Sequence, residues 1–142
     1  MRLLISGGGT SGHINPALAI ANAVREQRPD AEILFVGTRR GLESTLVPAA
    51  GYPIEYIDIS GFERALSPKN IVTAVKAAES VFKARGIIKR FRPDVVVGTG
   101  GYVSGPVLYA AASLRVPTAI HEQNAYPGVT TRILSRRVDR VM

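Results

Sequence analysis

The chain has 142 residues, 46% hydrophobic and 20% charged, the size and balance of one globular α/β domain built on a single core. It contains no cysteine, which excludes a disulfide framework and a Cys-ligated zinc site. Lys and Arg outnumber Asp and Glu by 18 to 11, a formal charge of +7 that points to an anionic partner: nucleic acid, a phosphorylated substrate or an acidic membrane surface.

Short apolar runs alternate with longer amphipathic ones along the chain. The opening run, MRLLISGGG, has one early arginine and too short an apolar core for a signal peptide, so Arg2–Ser6 reads as a buried strand. Further strands are expected at Ile33–Val36, Ile54–Ile59, Val95–Val97 and Thr118–His121. Helices are expected at Pro16–Gln27, Gly41–Ala50, Lys69–Phe91 (with a break near Gly86), Ser104–Leu114 and Gly128–Arg137. Pro16 suits a first helical turn, and Gly51-Tyr52-Pro53 and Arg92-Pro93-Asp94 are helix stops. Strand–helix alternation with continuously apolar strands implies a parallel sheet covered on both faces, a doubly wound, Rossmann-like α/β fold. The closing VDRVM reads as another strand just begun, so a chain truncated near the end of its domain is expected. No apolar run reaches the roughly 18 residues that span a bilayer, and a cytoplasmic protein with only peripheral membrane contact is expected.

Three loops at the carboxyl ends of strands carry the chemistry, because ligands of doubly wound sheets bind at that edge. The first is SGGGTSGHINPA, Ser6 to Ala17. Its glycines let backbone approach a ligand closely, and the following helix offers N–H groups and a positive dipole end to a phosphate, joined by the hydroxyls of Thr10 and Ser11. Gly7, Gly9 and Gly12 also satisfy the loose GxGxxG pattern of dinucleotide enzymes. The second strand, however, ends in FVGTRRG, with Arg39 and Arg40 where such enzymes want an acid, which leaves an NADP-binding oxidoreductase as the alternative. The second loop, GTGGYVSGP, runs from Gly98 to Pro106, and two such loops over one sheet edge suit a ligand with a bulky phosphate group. Tight turns without a ligand are the competing explanation. After the fifth strand, HEQNAYPG gathers a histidine, a carboxylate and two amides, His121 to Asn124.

Together GGGTSGHINPALAIA, GTGGYVSGP and IHEQNAYPG resemble, in order and spacing, the N-terminal half of the MurG family. These are the bacterial undecaprenyl-diphospho-muramoylpentapeptide β-N-acetylglucosaminyltransferases. The resemblance implies the N-terminal, acceptor-binding domain of a two-domain GT-B glycosyltransferase whose C-terminal donor-binding domain is absent here. It implies inverting transfer of N-acetylglucosamine from UDP-GlcNAc to the muramoyl 4-hydroxyl of lipid I, giving the peptidoglycan precursor lipid II, without metal or cofactor. The chain alone is then expected to be inactive. Residue by residue, it assigns Thr10, Ser11, Gly12 and Asn124 to the donor sugar and phosphate. Gly101, Tyr102, Ser104 and His121 fall on the acceptor side, with Glu122 beside them. His13 and Glu122 are the two candidates for the base that takes the acceptor's proton, and neither is ranked first. Ser11 departs from the commoner glycine at its place, exchanging backbone freedom for a hydroxyl.

Because lipid I is membrane-bound, the resemblance also implies a peripheral enzyme on the cytoplasmic face of the bacterial plasma membrane. The segment KNIVTAVKAAESVFKARGIIKRF offers Ile71, Val75 and Phe82 at helical spacing with Lys69 and Lys76 among the flanking cations, a pattern that can lie in an anionic interface. The same stripe also suits packing on the sheet. Nucleic acid is not among the expected partners. A further alternative is an acceptor-binding or membrane-anchoring subunit of a split glycosyltransferase.

Overall fold

The computed structural model describes residues 1–59 and 69–142, with side chains for 1–59 and 78–142. In chain order the elements are β1 (Arg2–Gly7), α1 (Ser11–Gln27), β2 (Glu32–Gly37), α2 (Glu43–Ala49), β3 (Ile54–Tyr56), α3 (Lys69–Phe91), β4 (Val95–Gly100), α4 (Ser104–Ser113), β5 (Thr118–Ile120), α5 (Val129–Leu134) and β6 (Arg140–Val141). Among the described residues six strands form one sheet in the order β3-β2-β1-β4-β5-β6, each pairing parallel to its neighbour. The fold is the doubly wound α/β sheet that the alternation implied.

Period-2 alternation sorts the strand side chains into two cores. Leu3, Ile5, Ile33, Phe35 and Val97 face α1 and α2, where they meet Ile14, Ala17, Ala21 and Val47. Leu4, Leu34, Val36 and Val96 face the opposite layer of α3, α4 and α5, meeting Ile87, Ile88, Val107, Leu108 and Leu134. Each such fully buried aliphatic side chain contributes about 1.5–3 kcal/mol, so both faces hold the sheet firmly and fix the loops at its carboxyl edge. The strand order reverses between β1 and β4, and that switch point is where a crevice opens in this architecture.

Three expectations need correction. Helix α1 begins at Ser11 and not at Pro16, so Ser11, Gly12 and His13 form its first turn and Pro16 sits inside it. The proline is tolerated because it forfeits only the bond to the Gly12 carbonyl, one turn from the helix start. Helix α3 runs unbroken through Gly86, where an added Cβ would meet only the end of Arg90 at 3.9 Å, so that glycine answers to no kink or close approach. Strand β3 and helix α5 are shorter than expected, although Ile57 beyond β3 stays buried and bonds to the Gly37 carbonyl. A short β6 does form at VDRVM. The side chains of Lys69, Ile71, Val75 and Lys76 lie outside the described residues.

Candidate active site

Thr10 is the N-cap of α1, with extended backbone and no side-chain cap bond. The helix start therefore keeps donors directed at the switch-point crevice, with the exposed Thr10, Ser11 and Gly12 around them. Gly12 is a glycine for no internal reason. Its φ lies outside the left-handed region, and a Cβ there would meet nothing nearer than Thr10 Oγ1 at 3.7 Å. Open space at an exposed glycine fits a ligand that must come close to the backbone.

The two glycine loops touch. Gly8 N–H donates to the Gly100 carbonyl at 3.4 Å, and Gly101, with φ +79°, leaves no room for a Cβ against the Gly8 carbonyl. Ser104 is buried and donates its hydroxyl to the Gly101 carbonyl at 2.9 Å, so it shapes the second loop from beneath. Tyr102 is 37% exposed and its ring faces the first loop, with Cε1 3.5 Å from where a Cβ on Gly9 would stand.

His13 lies between the loops. Its ring rests against Gly100, whose φ of +103° and missing Cβ make room for it. Its Nδ1 is 3.1 Å from the Thr99 carbonyl and 2.7 Å from the Gln123 side-chain amide. Thr99, fully buried, also donates its hydroxyl to the His13 carbonyl at 2.7 Å, stitching the start of α1 to the end of β4. The helix start, the second glycine loop and the loop after β5 thus converge on one imidazole.

Glu122 is engaged elsewhere. Gly128 N–H (2.9 Å) and the Thr131 hydroxyl (2.7 Å) donate to its Oε2, while the N–H (3.1 Å) and side-chain amide (2.8 Å) of Asn124 donate to its Oε1. Burial pushes its pKa up, but these four hydrogen bonds prevail and hold the carboxyl at about 2. A carboxylate held so low is a weak base at neutral pH. The same contacts leave the Asn124 amide oxygen for a ligand. His121 donates its backbone N–H to Gly98, and its Nδ1 is buried with no hydrogen-bond partner among the described residues.

Sequence reasoning missed Glu43. This carboxylate, 1% exposed, accepts from Gly9 N–H at 2.9 Å and from the N–H and hydroxyl of Thr38 at 2.9 and 2.8 Å. Burial raises its pKa, yet the hydrogen bonds from Gly9 and Thr38 bring it below the ordinary value. It also commits the Gly9 N–H, so a phosphate at this loop is left to the donors at the start of α1. Arg39, offered for an NADP phosphate, stacks over the Tyr56 ring at 4.6 Å.

An apolar groove of about 260 Å³ opens beside Tyr102, lined by Ile59, Pro106, Tyr109, Val129 and Ile133 among others. On α3, Phe82 is 73% exposed while Val81 packs against the core, and Lys83 and Arg90 pair with Asp58 (2.7 Å) and Glu55 (2.6 Å). Among the described residues no helix is long and apolar enough to cross a membrane, and no three His, Asp or Glu side chains gather as metal ligands do.

Residues 3–142 match the glycosyltransferase family 28 N-terminal domain, and the chain belongs to that family. It is 55% identical over 141 residues to a curated protein of Lactococcus lactis subsp. cremoris, UDP-N-acetylglucosamine–N-acetylmuramyl-(pentapeptide) pyrophosphoryl-undecaprenol N-acetylglucosamine transferase. A protein of the same name from Levilactobacillus brevis is 56% identical over 141 residues. The match takes in 99% of this chain but 40% and 39% of those relatives, so the chain spans about two fifths of their length. Among solved structures, MurG of Acinetobacter baumannii superposes with a TM-score of 0.86 at 35% identity, over 99% of this chain and 40% of that one.

Proposed function

We propose that this chain is the acceptor-side half of an enzyme that transfers N-acetylglucosamine from UDP-GlcNAc to the muramoyl 4-hydroxyl of lipid I, forming lipid II. The observation that carries the proposal is the single imidazole, His13, held between two touching glycine loops beside an uncapped helix N-terminus. The names of the relatives above supply the substrates.

In this reading His13 Nε2 takes the proton of the acceptor hydroxyl as its oxygen attacks the anomeric carbon of GlcNAc. The bond from that carbon to the UDP oxygen breaks on the opposite face, inverting the configuration, and UDP leaves with the bonding pair. Charge developing on the diphosphate is met by the oriented N–H groups and dipole of α1, together with Thr10, Ser11 and Gly12. Glu122, committed to four donors, acts as organiser of its loop, and His13 takes the role of base. Asn124 faces the donor sugar, while Gly101, Tyr102 and His121 border the acceptor and Ser104 supports them from below. Most donor contacts belong to a second, C-terminal domain across the cleft.

The acceptor's lipid requires the enzyme to sit at the cytoplasmic face of the membrane. The exposed Phe82 and the apolar groove beside Tyr102 support that placement. The test is transfer of labelled GlcNAc to lipid I by active enzyme carrying His13→Gln, with donor affinity measured separately. Turnover should fall by about 10²-fold or more while donor affinity changes little. Unchanged turnover would remove His13 from the chemistry, and failure of wild-type enzyme to form lipid II would remove the substrate assignment.

A further inference from the structure

A base must present a lone pair, and an imidazole can do so at either nitrogen. The surroundings of His13 choose between them. A backbone carbonyl only accepts, so the 3.1 Å contact between Nδ1 and the Thr99 oxygen is a hydrogen bond only if Nδ1 carries the proton. Thr99 is held firmly: it is fully buried, lies within a central strand one residue before its end and is tied to α1 through its hydroxyl. The carbonyl cannot turn away. The Gln123 amide nitrogen stands 2.7 Å from the same Nδ1, and two donors cannot share that line. A primary amide, however, exchanges its nitrogen and oxygen by a half-turn about its last bond while keeping its shape. With the oxygen inward, Nδ1–H finds two acceptors, Thr99 and Gln123.

We infer that Gln123 is a positioning residue: its side-chain oxygen, with the Thr99 carbonyl, holds the proton of neutral His13 on Nδ1 and leaves the lone pair on Nε2. The consequence for catalysis rests on the proposed role of His13 as base. The opposite arrangement, Gln123 donating to a bare Nδ1, would set that lone pair against the Thr99 oxygen and put the only ring proton on Nε2. Such a ring can donate to an acceptor hydroxyl but cannot take its proton. Gly100 completes the seat, because a side chain there would push the ring off both partners.

The test reads the tautomer directly. In the ¹⁵N-labelled 142-residue chain, long-range ¹H–¹⁵N correlations distinguish protonated from lone-pair nitrogens in each ring. The chain has two histidines, so His121→Gln leaves the His13 pattern alone, and His13→Gln assigns the spectrum by loss should the first variant unfold. At a pH where the ring is neutral, wild type should show a proton on Nδ1 and a lone pair on Nε2. Gln123→Glu, which brings only acceptors, should show the same tautomer. A proton on Nε2 in wild type, moving to Nδ1 in Gln123→Glu, would overturn the inference. In active enzyme, Gln123→Ala should lower kcat by up to about a hundredfold with a smaller change in KM, and Gln123→Glu should recover most of that loss. An Nδ1–H tautomer with full turnover in His13→Gln would retain the positioning but refute the base. An Nε2–H tautomer would refute the positioning whatever the kinetics.

Discussion

Replacing Gly100 by alanine separates the seat of His13 from the general stability of the fold. An alanine Cβ would stand 2.5 Å from His13 Nδ1 and 2.7 Å from Cε1, whereas ordinary contact begins near 3.4 Å. The ring must therefore withdraw by about 1 Å, and a reacting group displaced that far can lose about 10²-fold in rate. The φ of +103° adds backbone strain of about 1–3 kcal/mol. At roughly 3 °C per kcal/mol for a chain of this size, the strain lowers Tm by about 3–10 °C. Gly51→Ala supplies the control, since Gly51 has φ +78° but nothing within 4 Å of the added Cβ. It should share much of the thermal loss while keeping full turnover. The assay is steady-state transfer of labelled GlcNAc to lipid I in active enzyme, with thermal melts of both variants. Equal turnover in Gly100→Ala and Gly51→Ala would refute the claim that the placement of His13 matters to the reaction.

Gly12→Ala should leave Tm unchanged or raise it, because alanine favours a helix by up to about 1 kcal/mol, while transfer falls by about tenfold or more; full activity would show that no ligand approaches that turn. Glu122→Ala strips an acceptor from Gly128, Thr131 and Asn124 and should cost about 1–3 kcal/mol in a denaturant titration. With its folded pKa held at about 2 against an ordinary 4.5, Glu122 stabilises its loop fully above pH 4.5. That contribution is lost as pH falls toward 2, so the hydrogen-exchange protection factors of residues 122–131, taken relative to the intrinsic rate at each pH, should fall over this window in wild type but not in Glu122→Ala. Glu43→Ala leaves Gly9 and Thr38 without their acceptor and should destabilise the chain by about 2–4 kcal/mol, an effect that an unshifted melt would contradict.

The sheet was legible because its strands are apolar on both faces, so Leu3-Leu4-Ile5 and Val95-Val96-Val97 announce buried parallel strands without any knowledge of their partners. The start of α1 was not. Ser11, Gly12 and His13 are weak helix formers and Pro16 is the conventional opener, so local preference misplaced a boundary that packing of Ile14 and Ala17 into the core decides. Within the site, His13, Tyr102 and the HEQN cluster stood out by residue type and place. Glu43, Thr99 and Gly100 did not, and Gln123 stood out only as a member of its cluster. Their significance lies in contacts across 34, 86 and 110 positions, which no local pattern contains. The proposed rank of His13 over Glu122 was likewise hidden, since it depends on the four donors that the fold gathers around one carboxylate.

In the proposed reaction this half of the enzyme carries the acceptor. Sedimentation of the 142-residue chain with anionic liposomes, with and without lipid I at equal total lipid, tests it most directly. Binding should be tighter to vesicles containing lipid I, and the His13→Gln chain should bind them as wild type does, although the same substitution slows transfer in active enzyme. Equal binding to both kinds of vesicle would reduce this face to a basic membrane surface and contradict the account.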